Sequence, residues 1–155
     1  NGGLPTGSTK LPFAFTLWQL FARYSPWFPI GRIVKAGCVH ELTPAEVAAY
    51  DAPFPSDEYL VAARLFPSLV PTTPEDPERQ NNEQAWEFFR QWNKPFLTLF
   101  GDRDPITRGG QEIWKRQVPG AREQPHAIID GAGHFLQEDK GPELGRMVAA
   151  FIRAT

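Results

Sequence analysis

Two short apolar runs, each cut off by a glycine-bearing polar turn, constrain this chain more than any other feature. Phe96-Leu97-Thr98-Leu99-Phe100 leads into Gly101-Asp102-Arg103-Asp104-Pro105, and Ala127-Ile128-Ile129 leads towards Gly131-Ala132-Gly133-His134-Phe135. Runs rich in β-branched and aromatic residues that stop at Gly and Asp read as buried strands. Between them, Gln111 to Val118 has a helical pattern that Pro119-Gly120 ends. Strand, helix and strand in this order predict a βαβ unit whose two strands are parallel neighbours. Both polar turns then lie at the carboxyl ends of the strands, on the sheet edge where open α/β folds keep their chemistry.

A carboxylate and an imidazole meeting at that edge suggest the orienting acid and the base of a nucleophilic hydrolase. Taken singly, each residue is ordinary: an Asp after a strand caps a helix, and a His packs or sits at the surface. On consecutive parallel strands the pairing points to chemistry, and the glycines beside His134 let the backbone turn sharply so that the imidazole protrudes. His126, which follows Pro125 at a strand start, reads as structural or exposed. Cys38 and His40 stand two apart without further ligands, too sparse for a metal site.

At 155 residues and 41% hydrophobic content, one domain with its own core is expected. A formal net charge of −2 argues against nucleic acid or an anionic membrane as the main partner. Cys38 is the single cysteine, so no internal disulfide is possible. Nothing points to an oxidising compartment, and a cytoplasmic protein is expected. There is no apolar run of transmembrane length and no signal-peptide pattern. Asn1-Gly2-Gly3-Leu4-Pro5-Thr6-Gly7 lacks an initiating Met and reads as the exit loop of a strand, over residues 1–11. Two strands with one helix cannot make a stable doubly wound sheet. The expectation is therefore the carboxyl-terminal part of a larger protein.

The first half reads as helical and punctuated by proline, with the change to α/β near Lys94. Pro12 to Tyr24, with Phe13, Phe15, Leu17, Trp18, Leu20 and Phe21, is predicted to be a short helix buried on more than one side. Ser25 to Gly37 reads as irregular at first, turning apolar over Ile30 to Val34. Thr43-Pro44-Ala45-Glu46 is a helix start with a capping box, and that helix runs to about Tyr50. Ser56 is expected to cap the next helix, which Pro67 ends or bends. Pro71 to Asn82 reads as a surface connection, Glu83 to Trp92 as an amphipathic helix, and Pro142 to Ile152 as a final helix with Leu144, Val148, Phe151 and Ile152 on one face.

A base and its orienter need a nucleophile, which α/β-hydrolases carry on a strand-to-helix elbow, as G-x-S-x-G or an Asp-bearing form. Neither pattern is present. The order in that fold is nucleophile, acid, His, so the absent residue is expected before Asn1.

The stretches Gly101-Asp102-Arg103-Asp104-Pro105-Ile106-Thr107-Arg108-Gly109-Gly110 and Gly131-Ala132-Gly133-His134-Phe135-Leu136-Gln137-Glu138-Asp139 resemble the acid and histidine motifs of haloalkane dehalogenases. The likeness is to the subfamily whose acid follows the seventh strand. It continues through Asn1 to Gly7, Phe15-Thr16-Leu17-Trp18, Ala49-Tyr50-Asp51-Ala52-Pro53-Phe54-Pro55 and Arg64-Leu65-Phe66-Pro67, which are similar to that family's helical cap. The resemblance implies a partial α/β-hydrolase fold: a helical cap over residues 12–93, then the last two parallel strands and their helices over 94–155.

Residue by residue, the resemblance makes Asp104 the catalytic acid, His134 the general base and Trp18 the cap tryptophan whose indole N–H donates to the departing halide. Asp104 is preferred to Asp102 on motif position; Asp102 can pair with Arg103 or cap the following helix. Phe15, Phe66, Pro67, Val70 and Ile106 fall where the family lines its apolar pocket. Trp27, Trp86, Trp92 and Trp114 read as packing. The nucleophilic Asp, the second halide-binding Trp and the oxyanion-hole segment are missing from the family's pattern, so this chain alone is expected to release no halide.

The implied chemistry is displacement of chloride or bromide by a carboxylate, followed by hydrolysis of the alkyl-enzyme ester by a water that His134 deprotonates. The implied partners are a small apolar halogenated substrate, the halide ion and the amino-terminal half of the same enzyme; no metal or organic cofactor enters. An epoxide hydrolase uses the same Asp, His and Asp logic, but pairs tyrosines in its cap, and Tyr24, Tyr50 and Tyr59 form no obvious pair. A Ser elbow would indicate an esterase-type enzyme. A non-catalytic fragment or binding module, its sheet edge completed by another polypeptide, is the alternative from outside enzymes.

Overall fold

The computed structural model describes residues 1–8 and 11–155; the part of the expected strand-exit loop at 9–10 lies outside them. The chain divides into two compact units. One comprises Asn1–Gly3, Val34–Leu42 and Glu87–Thr155, the other Leu4–Ile33 and Thr43–Trp86. Seven α-helices and two strands are described: α1 Phe13–Tyr24, α2 Ile30–Gly37, α3 Pro44–Asp51, α4 Val61–Leu65, α5 Arg79–Phe89, β1 Leu99–Gly101, α6 Gln111–Gln117, β2 Ala127–Ile129 and α7 Leu136–Ala154.

In the unit that holds the sheet, β1 and β2 are parallel and adjacent, with Leu99 opposite Ala127, Phe100 opposite Ile128 and Gly101 opposite Ile129. The crossover between them carries α6, as the order of patterns predicts. β1 is shorter than the run Phe96 to Phe100, because the backbone before it bonds to loops instead. Phe96 N–H donates to the Gly120 carbonyl at 2.9 Å, and Thr98 N–H donates to His126 Nδ1 at 3.0 Å. The core of this unit gathers Ile129, Ala132 and Leu136, with Leu99, Ala127, Leu144 and Met147 packed against it. Burying a side chain such as Ile129 (2% exposed) contributes about 1.5–3 kcal/mol.

The final helix starts earlier than its pattern suggests, at Leu136 instead of Pro142, and breaks at Lys140, whose φ of −138° and ψ of 28° are not helical. Pro142 has no N–H to bond back and its ring crowds the carbonyl four residues earlier, so a turn over 136–139 and a second helix beginning at the proline are joined by a kink. The packed face also differs from the expected one. Leu144 and Met147 meet the core, whereas Val148 and Ile152 are exposed. Eight residues on from Leu144, Ile152 has turned about 80° away from it.

In the helical unit, α3 forms as its capping box predicts. Thr43 Oγ1 accepts from the Glu46 amide at 3.3 Å, and the Glu46 carboxylate accepts from the Thr43 amide at 2.7 Å. Other expectations are corrected. α1 packs along one stripe, with Ala22 buried and Trp18 against the core of Ala22, Phe28 and Leu60, while Phe13, Leu17, Leu20 and Tyr24 are exposed. Ser56 makes no side-chain cap; its carbonyl accepts from the Tyr59 amide, opening a 3-10 turn over Asp57–Leu60 before α4. Residues 30–37 are a full helix, α2, where only an apolar stretch was expected. α5 begins at Arg79 instead of Glu83, helped by an Arg79–Glu83 ion pair at 2.7 Å one turn apart, and closes at Phe89 instead of Trp92. No helix among the described residues is long and apolar enough to cross a membrane.

Candidate active site

The site is built by the two turns that leave the parallel strands. After β1 the chain passes Asp102 and Arg103, whose amides donate to the Ile129 and Ala132 carbonyls at 3.1 and 3.0 Å, so the first turn is tied to the second. Asp104 follows and is fully buried. Its Oδ1 accepts from the Ile106 amide at 2.8 Å, and its Oδ2 accepts from the Thr107 hydroxyl. An Asp whose carboxylate collects donors two and three residues ahead is a self-closing Asx-type turn, which Pro105 helps to pre-form.

His134 brings its Nδ1 to 3.2 Å from each Asp104 oxygen. The carboxylate can only accept, so Nδ1 carries the proton and Nε2 keeps its lone pair for substrate or water. The imidazole is about one-third exposed and rests edge-on against the Phe135 ring, with centroids 5.1 Å apart. Burial alone would push the Asp104 carboxyl up. The hydrogen bonds from the Thr107 side chain, the Ile106 amide, His134 and the Thr107 amide outweigh it and hold the carboxyl at about 2. Asp104 is therefore charged at any pH where the imidazole can work as a base.

The loop bearing His134 is held through its backbone. Ala132 N–H donates to Asp102 Oδ1 at 3.2 Å and Gly133 N–H to Asp139 Oδ2 at 2.7 Å, while His134 and Phe135 N–H both donate to the Gly37 carbonyl, at 2.8 and 3.3 Å. The glycines are needed here. Gly131 has φ of +66°, and a Cβ on Gly133 would lie 2.6 Å from the Gly37 carbonyl oxygen. Asp102 thus braces the histidine loop, neither pairing with Arg103 nor capping α6.

Sequence reasoning missed several members of this network. Asn1 donates through Nδ2 to Asp104 Oδ2 at 3.3 Å and to the His134 carbonyl at 2.9 Å, a long-range contact with no local signal. Thr107, three residues after Asp104, could have been read as an Asx-turn partner. Asp139 lies inside the histidine motif, where nothing in the sequence assigns it a role. His126 is structural: Nδ1 accepts from the Thr98 amide and Nε2 donates to the Ala121 carbonyl at 2.6 Å. Cys38 Sγ lies 3.3 Å from the Val34 carbonyl, and among the described residues no group of His, Cys, Asp and Glu is arranged to hold a metal.

The remaining sequence candidates divide between the units. Ile106 belongs to the sheet-bearing unit and is exposed. Phe15, Trp18, Phe66, Pro67 and Val70 belong to the helical unit. There, Gln19 of α1 donates to the Pro67 carbonyl at 2.8 Å, tying α1 to the 3-10 turn Phe66–Leu69. Pro67 is buried, Phe15 and Val70 are half-buried and Phe66 is exposed. Trp18 stacks on Phe21 and Phe28, with centroids 5.8 and 5.9 Å apart, and among the described residues no group accepts from its indole N–H.

Parallel strands with a buried acid and a protruding imidazole at their carboxyl ends define the class: this is part of an α/β-hydrolase fold. The comparisons with known proteins narrow it. No family model matches the chain. It is 48% identical over 151 residues to a haloalkane dehalogenase of Mycobacterium marinum, covering 97% of this chain and 50% of that protein. It is 49% identical over 154 residues to one from Mycolicibacterium paratuberculosis, covering 99% and 51%. Among solved structures, haloalkane dehalogenase DpaA from Paraglaciecola agarilytica matches with a TM-score of 0.78 at 27% identity, over 92% of this chain and 48% of that one. Haloalkane dehalogenase DatA from Agrobacterium tumefaciens, at 17% identity, shares the fold with a TM-score of 0.74 over 94% and 53%. The chain spans about half the length of the curated relatives it matches, and it is similar to the carboxyl-terminal half of haloalkane dehalogenases.

Proposed function

We propose that this chain supplies the acid and base of a haloalkane dehalogenase, with a nucleophilic Asp contributed by an amino-terminal half. The observation that carries this reading is the Asp104–His134 pair, hydrogen-bonded at 3.2 Å in a chain 45–49% identical to haloalkane dehalogenases. In the first half-reaction a carboxylate displaces the halide from an apolar substrate and forms an alkyl-enzyme ester. Trp18 is proposed to donate its indole N–H to the leaving halide, a large anion that a neutral donor suits.

In the second half-reaction His134 Nε2 takes a proton from water as that water attacks the ester carbonyl. The buried charge of Asp104 stabilises the imidazolium that forms and keeps the ring in the Nδ1–H tautomer. Phe15, Phe66, Pro67, Val70 and Ile106 are proposed to line the apolar pocket, in an enzyme whose cap is residues 12–93 and whose last core segment is 94–155. A cytoplasmic setting fits the single Cys38.

The test is halide release from 1,2-dibromoethane or 1-chlorobutane by the protein joined to a nucleophile-bearing amino-terminal half, with His134→Ala as control. Release by the joined enzyme, and its loss in the variant, is the expected result. No release from any haloalkane, with turnover of an epoxide instead, would replace this reading by that of an epoxide hydrolase.

A further inference from the structure

The Asp139 carboxylate takes no part in the proposed chemistry. It is nonetheless fully engaged. Oδ1 accepts from the Val39 amide at 2.8 Å and the His40 amide at 2.6 Å, and Oδ2 accepts from the Gly133 amide at 2.7 Å. The first two donors are about a hundred residues away in sequence, and the third belongs to the residue immediately before His134. The same two segments meet a second time, where the Gly37 carbonyl accepts from the His134 and Phe135 amides.

Asp139 therefore bridges the turn after α2 to the loop that carries the base. A neutral side chain does not do this equally well. Asn offers one acceptor oxygen, and its NH2 group would face a backbone donor, so one arm of the bridge is lost and an N–H is left without a partner. Burial alone would raise the Asp139 carboxyl, but the bonds from His40, Gly133 and Val39 hold it below its ordinary value, as expected for a carboxylate that must be charged to do this work.

We propose that Asp139 is a positioning residue: by clamping Gly133 to Val39 and His40 it fixes the backbone at His134 and so keeps the imidazole Nδ1 on Asp104. The catalytic part of this inference rests on the dehalogenase reading; the clamp itself does not. Misplacing a reacting group by about 1 Å costs on the order of 10²-fold in rate, so loss of the clamp should be read in turnover more than in binding.

The test compares Asp139→Asn with the wild type in three measurements. Amide exchange by NMR on the enzyme completed with its amino-terminal half reads Gly133, Val39 and His40. The 15N shifts of the His134 ring read its tautomer. Halide release by the enzyme completed with its amino-terminal half reads kcat and KM. The expected result is exchange about tenfold faster at Gly133 or at the Val39–His40 pair, a mixture of Nδ1–H and Nε2–H tautomers, and kcat lowered about 10–100-fold with KM changed by less than about twofold.

Faster exchange with the tautomer and kcat unchanged would overturn the proposal, leaving Asp139 merely structural. So would unchanged exchange. A wild-type enzyme that releases no halide would sink the dehalogenase reading, while exchange and tautomer still judge the clamp. If Asp139→Asn does not fold, Asp139→Glu is read instead. It keeps the charge and both oxygens one methylene out of place, so a mixed tautomer supports the clamp and a single Nδ1–H tautomer overturns it.

Discussion

Asp104 accepts from Asn1, Ile106, Thr107 and His134, and these bonds keep its charge. Replacing it by Asn preserves the shape but offers His134 an amide in place of an anion, which no longer enforces the Nδ1–H tautomer. The expected loss in kcat is on the order of 10³-fold or more, measured as steady-state halide release by the completed enzyme. The same carboxyl has a stability signature. Its pKa falls from 3.8 to about 2 on folding, so its contribution is fully present above about pH 4 and is lost as pH falls towards 2. That contribution is roughly 2 kcal/mol, and a denaturant-midpoint series across this window should show it in the wild type and not in Asp104→Asn. Cys38 gives a further test. Burial, with Asp139 and Glu138 nearby, pushes its thiol up to about 11. Little thiolate then exists at pH 8, and alkylation of the folded chain should run at least about tenfold slower than that of the urea-unfolded chain.

At the scale of elements, what the sequence announced depended on how local its cause was. The capping box of Thr43 and Glu46 and the parallel pairing around Asp104 and His134 rest on short-range chemistry and on the order of patterns, and both were legible. The start of α5 was hidden because Pro74 and Pro77 made the segment look like a connection, although the Arg79–Glu83 pair one turn apart was a local helix signal. α2 was hidden by Pro29 and Gly31, which read as breakers although Pro29 only precedes the first turn. Nothing local announced the clasp of Asn1 on Asp104 or of Asp139 on Val39 and His40, since these partners are about a hundred residues away. Ser56 shows the reverse failure, a good capping residue whose hydroxyl is not used. A matched pair checks this account: Thr43→Ala should cost about 1 kcal/mol in chemical unfolding, and Ser56→Ala less than about 0.5 kcal/mol.

Over the whole molecule, the proposed acid Asp104 and the proposed base His134 both belong to the sheet-bearing unit. The chain spans about half the length of the relatives it matches, and the proposed function assigns the nucleophile to an amino-terminal half. In the proposed mechanism His134, held on Asp104, acts only in the second half-reaction. This is tested most directly by rapid-mixing halide release from 1,2-dibromoethane with the completed enzyme carrying His134→Ala. The expected result is a burst of about one halide per active site, with the alkyl ester detectable by mass and no further turnover. Steady release at the wild-type rate, without accumulated ester, would contradict it.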